Sequence, residues 1–106
     1  MKARRYVARE SDVASRLMGG EMMVMSTRDS TLFSLNSVAT AIWEALDGVT
    51  PLDEIVANRI CKEYDVSPEV AMKDAEALVE QLAGHGILIL SDQPILLRPM
   101  FQEISQ

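Results

Sequence analysis

The spacing of apolar residues changes at Asn36, and this change limits the folds that the chain can adopt. Before Asn36, the runs YVARE (6–10), EMMVMS (21–26) and TLFSL (31–35) are short and β-rich. Such runs are typical of antiparallel strands, and Arg28-Asp29 predicts a hairpin turn between the last two. After Asn36, apolar residues recur at every third or fourth position, which is typical of helices. The sequence therefore predicts a sheet first and helices afterwards.

Three helix starts can be located in the second part of the chain. Asn36 is a good N-cap because its side-chain oxygen can accept a hydrogen bond from an unpaired backbone N–H. A threonine or serine followed by proline occurs at 50–51 and at 67–68, and both pairs are typical of a first helical turn. After Gly86, the run ILIL predicts one short strand. Together these signals predict an α+β, winged-helix-like fold with an N-terminal three-stranded antiparallel sheet, three helices and a short wing.

The chain has 106 residues, which is long enough for one domain and too short for two. We expect that domain to occupy 1–90, because Pro94 and Pro99 argue against a long regular element in the C-terminal tail, 91–106. A single cysteine, Cys61, and the lack of a secretory leader favour the cytoplasm. No apolar run approaches the ~20 residues of a transmembrane helix, so no membrane span is expected. The net charge of −6 disfavours an anionic membrane as a partner.

Few residues of this chain could carry catalysis. Cys61 and His85 are the only soft metal ligands, and we interpret them as a packing cysteine and a solvated surface histidine. The glycine pairs lack the spacing of a phosphate-binding loop. Carboxylates such as Asp53 and Glu54 lie near helix ends, where solvated charge is normal. The sequence therefore predicts no catalytic residue, no metal site and no cofactor.

The charge of the chain weighs against nucleic acid as a partner. Sixteen acidic residues against ten basic ones give a net charge of −6, which repels phosphate backbones. In a winged-helix DNA-binding protein the third helix would enter the groove, yet here it carries four carboxylates and one lysine. A winged-helix regulator that binds DNA or a protein partner is the alternative function.

Backbone groups at a sheet edge are the remaining candidates for binding. A strand that runs directly into the first helix can leave N–H and C=O groups unpaired, and a partner peptide can add to it as a further strand. A second copy of the chain can occupy the same edge, which predicts a homodimer. Trp43 shares its helical stripe with Ile42 and Leu46, so we assign it to the core and not to a peptide anchor.

The segments LFSLNSVATAIWEALDGVTPLDEI and KEYDVSPEVAMKDAEALVEQLAGHGIL resemble the PqqD family. The resemblance covers about 21–90, and its elements are Leu35-Asn36, Ala39, Ile42-Trp43, Leu46-Asp47-Gly48, Tyr64, Asp74, Leu82 and Gly86. Members of that family are small modules without catalytic residues that bind the leader segment of a ribosomally made precursor peptide. They present it to a modifying enzyme, in the founding case a radical-SAM protein of pyrroloquinoline quinone biosynthesis. The resemblance implies that 1–90 is such a peptide chaperone and recognition element.

The resemblance also implies where the leader binds. In such modules the leader adds as a strand to the sheet edge and lies beside the third helix. The matching edge strand consists of Thr31, Leu32, Phe33, Ser34 and Leu35. Of the two flanks of the third helix, the mixed small and polar one is favoured as the groove wall, and it consists of Val70, Asp74, Ala77 and Gln81. The other flank, with Met72 and Val79, is expected to be core.

Overall fold

A computed structural model of the chain describes residues 4–11 and 13–95. The elements follow in the order β1 (Tyr6–Arg9), β2 (Ala14–Met18), β3 (Glu21–Met25), β4 (Leu32–Leu35), α1 (Ser37–Ala45), α2 (52–63), α3 (Pro68–Gly84) and β5 (Leu88–Ser91). The helix α2 joins Leu52–Ile55, a π-helical turn Val56–Ile60 and a last turn Cys61–Glu63. The α+β fold, with a three-stranded antiparallel sheet ahead of the helices and a strand after them, is confirmed.

The membership of the sheet differs from the sequence prediction. The three-stranded sheet has the order β2-β3-β4, whereas β1 pairs antiparallel with β5 in a separate two-stranded sheet. The run YVARE is therefore a strand, but the assignment of that strand to the N-terminal sheet was wrong. Its two buried residues, Val7 and Ala8, explain the placement, because the core between the helices and β5 takes up both side chains.

Both polar caps predicted for α1 and α3 are present. The Asn36 side chain accepts a hydrogen bond from the Ala39 N–H at 2.9 Å, and the Ser67 hydroxyl accepts one from the Val70 N–H at 3.3 Å. These contacts satisfy backbone N–H groups that the first helical turn leaves without an intrahelical partner. The two helices that border the site described below are therefore anchored at their N-termini by local side-chain contacts.

The start of α2 uses a different contact from the one that the sequence suggests. Thr50 does not cap the helix, because the Asp47 carboxylate accepts hydrogen bonds from its N–H at 2.8 Å and its hydroxyl at 2.9 Å. Pro51 occupies the N-cap position instead. Burial raises the pKa of Asp47, but the hydrogen bonds from the N–H groups of Thr50 and Val49 outweigh it, so the pKa lies below its usual value.

Trp43 belongs to the core, as expected from its stripe. Its side chain is 2% exposed, and the Arg9 guanidinium lies 5.4 Å from the ring centroid. Among the described residues the indole Nε1 has no hydrogen-bond partner, so burial of the ring, and not a polar contact, holds Trp43 in place. This core also contains Leu52, Ile60 and Leu82, which come from α2 and α3.

The last described residues return to the body of the fold. Gly48 has a φ of +82°, and a Cβ atom there would lie 2.8 Å from the Ile95 carbonyl oxygen, so only glycine fits. The Ile95 N–H donates a hydrogen bond to the Gly48 carbonyl at 2.7 Å. The predicted tail, 91–106, thus begins with the last residue of β5, and 96–106 lie outside the described residues.

Candidate functional site

A groove of about 470 Å³ opens between α1, the end of α2 and α3. Most of its lining is aliphatic, with two amides and one carboxylate. The lining residues are Asn36, Val38, Ala39, Ile42, Ile60, Val66, Val70, Ala71, Asp74, Ala77, Leu78 and Gln81. A concave apolar surface with a few polar groups is the usual character of a ligand-binding site.

All four residues predicted for the helix wall lie in this groove. Val70, Asp74, Ala77 and Gln81 project from successive turns of α3 into it. On the other flank, Val79 is fully buried and Met72 is packed against the core. The second flank is therefore part of the core, and the first lines the groove.

The predicted edge strand is not part of the groove lining. Thr31 to Leu35 lie just outside it, and the lining begins with Asn36, the residue that follows β4. The groove floor, by contrast, comes from residues that periodicity alone assigns to the core, such as Ile42 and Ile60. Nothing in a single sequence distinguishes a buried side chain that packs on a neighbour from one that forms the floor of a groove.

The hydrogen-bonding pattern of β4 shows which of its backbone groups face outward. The Ser26 N–H donates to the Thr31 carbonyl at 2.9 Å, so residue 31 directs its carbonyl towards the β3 side of the hairpin. Directions alternate along an antiparallel strand, which assigns Phe33 and Leu35 to the same side. The backbone N–H and C=O of Leu32 and Ser34 therefore point away from β3, towards the open edge.

The side chains of β4 alternate between the two faces of the sheet. Leu35 is buried and Phe33 is partly buried against the core, whereas Leu32 and Ser34 are exposed on the opposite face. A strand added at this edge would follow the same alternation, because side chains of neighbouring strands stay in register across a sheet. Every second residue of such a strand would face the side on which the helices lie.

A polar contact joins the β3–β4 turn to the end of α3. The His85 Nδ1 lies 2.8 Å from the Asp29 carboxylate, and the His85 ring meets Phe33 edge-on with centroids 5.0 Å apart. His85 therefore makes structural contacts, whereas its position between two glycines suggested a solvated surface histidine. The contacts with His85 and with Thr31 hold the pKa of Asp29 well below its usual value.

These contacts also give the direction of β4 relative to α3. Phe33, near the start of β4, lies beside the C-terminal end of α3. At the other end, the Tyr64 hydroxyl donates to the Ser37 carbonyl at 3.4 Å, which joins the segment before α3 to the start of α1. The strand β4 and the helix α3 thus run in opposite directions along the two sides of the site.

The lining of the groove carries one acidic side chain, that of Asp74, and no basic one. No cluster of three histidine, cysteine or carboxylate side chains that could hold a metal ion occurs among the described residues. None of the helices within 4–11 and 13–95 combines the length and the apolar character of a bilayer-spanning segment. The groove lining is otherwise mostly aliphatic, and the outward backbone groups of β4 lie outside this lining.

The fold and the groove define a small winged-helix-like α+β module with an open strand edge beside an apolar helix surface. The family model of coenzyme PQQ synthesis protein D (PqqD) matches residues 21–88, which is more than half of the chain, and the protein belongs to this family. The match begins at β3, so β1 and β2 lie outside it. Comparison of the sequence with curated proteins gives no match.

Two solved structures share the fold. One, described as TbiB1 in complex with the TbiA(beta) leader peptide, is 28% identical, with a TM-score of 0.66 over 76% of this chain and 92% of that one. The other, described as lasso peptide synthetase B1 complexed with the leader peptide, is 23% identical, with a TM-score of 0.62 over 78% of this chain and 96% of that one. The second similarity supports the fold alone.

Proposed function

We propose that this protein binds an extended leader segment of a ribosomally made precursor peptide as an additional strand on β4, along α3. The bound segment is presented to a modifying enzyme, which is a radical-SAM protein in the founding case of the family. The chain itself contributes recognition and no chemistry. Membership of the PqqD family and the similarity to TbiB1, whose structure contains a leader peptide, support this role.

The observation that carries the proposal is the outward direction of the Leu32 and Ser34 backbone groups beside a ready-made groove. Two N–H donors and two C=O acceptors can form four hydrogen bonds with an incoming strand, which is the pattern of β-augmentation. The alternate side chains of that strand can contact Val70, Asp74, Ala77 and Gln81 on α3. Backbone pairing supplies affinity in this arrangement, and the groove supplies specificity.

Proline and alanine variants of Ser34 test the backbone contact directly. Ser34→Pro removes an N–H that points to the open edge and that the sheet does not use, so the fold is retained. We expect the affinity for the proposed leader peptide to fall about tenfold or more, because one hydrogen bond is lost and the ring obstructs the new strand. Ser34→Ala retains the N–H and should bind within about twofold of the unaltered chain.

A nuclear magnetic resonance titration locates the binding surface. Adding the same leader should shift backbone amide signals of 31–35 and of α3, and should leave those of 91–95 largely unchanged. Shifts that cluster on β5 and 91–95 would place the peptide elsewhere. A response to duplex DNA in place of the peptide would instead favour the alternative regulator function.

A further inference from the structure

Asp74 is the only ionised side chain among the twelve residues that line the groove. Nine of the others are aliphatic and two are the amides Asn36 and Gln81. The ion pairs formed within 4–11 and 13–95 engage other carboxylates, which are Asp29, Asp53, Glu54, Glu63 and Glu80. Asp74 therefore directs its charge into the groove without a basic partner among the described residues.

The surroundings of Asp74 strengthen its preference for a cation. Glu69, Glu76 and Glu80 lie on the same helix, and the chain has a net charge of −6. Asp74 is exposed, so a charge pair formed with it is partly screened by salt. A positive group in the groove would be attracted by this charge, whereas a negative one would be repelled.

The distance between successive groove residues on α3 is close to the distance between alternate residues of a β-strand. Residues four apart on a helix are about 6 Å apart along its axis. Alternate residues of an extended chain are about 6.7 Å apart. Inward-facing side chains of a bound strand can therefore meet successive turns of the helix, with one at Val70, the next at Asp74 and the third beside Ala77 and Gln81.

Two exposed valines line the groove at the N-terminal end of α3. Val70 is 55% exposed and Val66, just before the helix, is 38% exposed. An aliphatic or aromatic side chain would bury apolar surface in this part. Two residues away along the strand, the next inward side chain reaches the carboxylate of Asp74.

We propose that the groove selects an extended peptide in which a large apolar residue and a lysine or arginine are two positions apart, the cation pairing with Asp74. This specificity rests on the proposed strand-addition function. Asp74 is thus a specificity-determining residue of the peptide, while the edge of β4 supplies the part of the affinity that does not depend on sequence.

Selection from a displayed library of random peptides tests this inference without a known leader. The unaltered chain, Asp74→Asn and Glu76→Gln are immobilised in parallel, the last as a control on α3 outside the groove lining. We expect the unaltered chain and Glu76→Gln to enrich peptides with an apolar residue two positions from lysine or arginine. Asp74→Asn should keep the apolar preference and lose the basic one.

A synthetic peptide from that selection gives the size of the effect. Replacing its cation by alanine should weaken binding to the unaltered chain about three- to tenfold and leave binding to Asp74→Asn unchanged. The difference should shrink as salt is raised, because the pair is partly screened. Asp74→Lys should in turn prefer the peptide in which glutamate replaces the cation.

The outcomes separate this inference from the function on which it rests. Enrichment of alternating apolar peptides with no basic preference, identical for the unaltered chain and Asp74→Asn, would overturn the role of Asp74 and leave strand addition standing. Enrichment of no peptide by any of the folded proteins would overturn both. Equal loss of the basic preference in Glu76→Gln would show a general effect of helix charge, and would also overturn the assignment to Asp74.

Discussion

Thr40 joins β3 and β4 to α1 through one buried hydroxyl. Its Oγ1 accepts a hydrogen bond from the Met22 N–H at 2.9 Å and donates one to the Leu35 carbonyl at 3.0 Å. Thr40→Val preserves the shape but leaves both buried backbone groups without a partner. We therefore expect the free energy of unfolding to fall by about 2–3 kcal/mol, measured by urea denaturation with circular dichroism.

Thr40→Ser is the matched control for that variant. It retains the hydroxyl and removes a single methyl group, which should cost about 1 kcal/mol. Because Thr40 is 5% exposed, water cannot readily replace the lost hydroxyl in Thr40→Val. Equal losses for the two variants would show that packing of the methyl group, and not the hydrogen bonds, makes Thr40 important.

The contact between Asp29 and His85 predicts an acid-dependent stability. The pKa of Asp29 lies below its usual value of 3.8, so the folded state favours the ionised carboxylate. The contribution to the free energy of unfolding is fully present above pH 3.8 and is lost as the pH falls through the lower, folded-state pKa. The difference in urea midpoint between the unaltered chain and Asp29→Asn should therefore shrink as the pH is lowered below 3.8. A difference that stays constant during acidification would contradict this assignment.

Contacts of single residues could be predicted where they are local in sequence. Asn36 and Ser67 each accept a hydrogen bond from a backbone N–H three residues further along, so a short sequence pattern contains both partners. Asp29 and His85 are 56 residues apart, and neither has a pattern that names the other. Thr50 is a third case, because two local contacts were open to it. It could cap the N-terminus of α2 or bind the Asp47 carboxylate, and it binds the carboxylate.

At the scale of elements, helices were easier to predict than strand pairing. The apolar period and caps of α1 and α3 are properties of those segments alone. The strand β2 was missed because ASRLM is exposed at all five positions and shows no alternation. The pairing of β1 with β5 joins Tyr6 to Ser91 across nearly the whole chain, and only the folded core determines it.

Removing β1 should destabilise the whole domain. Its Val7 and Ala8 are buried, and the Val7 and Arg5 carbonyls accept hydrogen bonds from the N–H groups of Gly48 and Leu52 at 2.9 and 2.8 Å. Deletion of 1–10 exposes this core and leaves β5 unpaired. We expect a loss of at least about 3 kcal/mol, a large fraction of the stability of a small domain, measured by thermal denaturation.

A point variant separates the strand from its surface charge. Arg5 forms an ion pair with Glu80 at 2.8 Å, and both side chains are partly exposed. Arg5→Ala should therefore lower the free energy of unfolding by about 1 kcal/mol or less. If the truncated chain melts at the same temperature as the full one, β1 is dispensable for stability. The family match starts at residue 21, so β1 lies outside the matched part of the chain.

At the scale of the whole molecule, some parts of the candidate site can be predicted from the sequence and others cannot. The α3 wall follows from helical periodicity and the family resemblance. The floor does not, because Ile42 and Ile60 serve the core and the groove at the same time. The open edge depends on which strand ends the sheet, and that follows only once β2 and β3 have paired. The site is therefore a property of the complete fold more than of any segment.

The open edge of β4 also predicts the outcome of a competition between self-association and peptide binding. In a two-fold dimer the β4 strands of two copies would pair with each other, and each would occupy the Leu32 and Ser34 groups that a leader needs. We expect sedimentation velocity to show the dimer fraction falling as leader peptide is added. Ser34→Pro should lower that fraction without peptide, whereas Ser34→Ala should not, because only proline removes the N–H. A dimer that is indifferent to both peptide and proline would have its interface elsewhere, and the edge of β2 would be the next surface to alter.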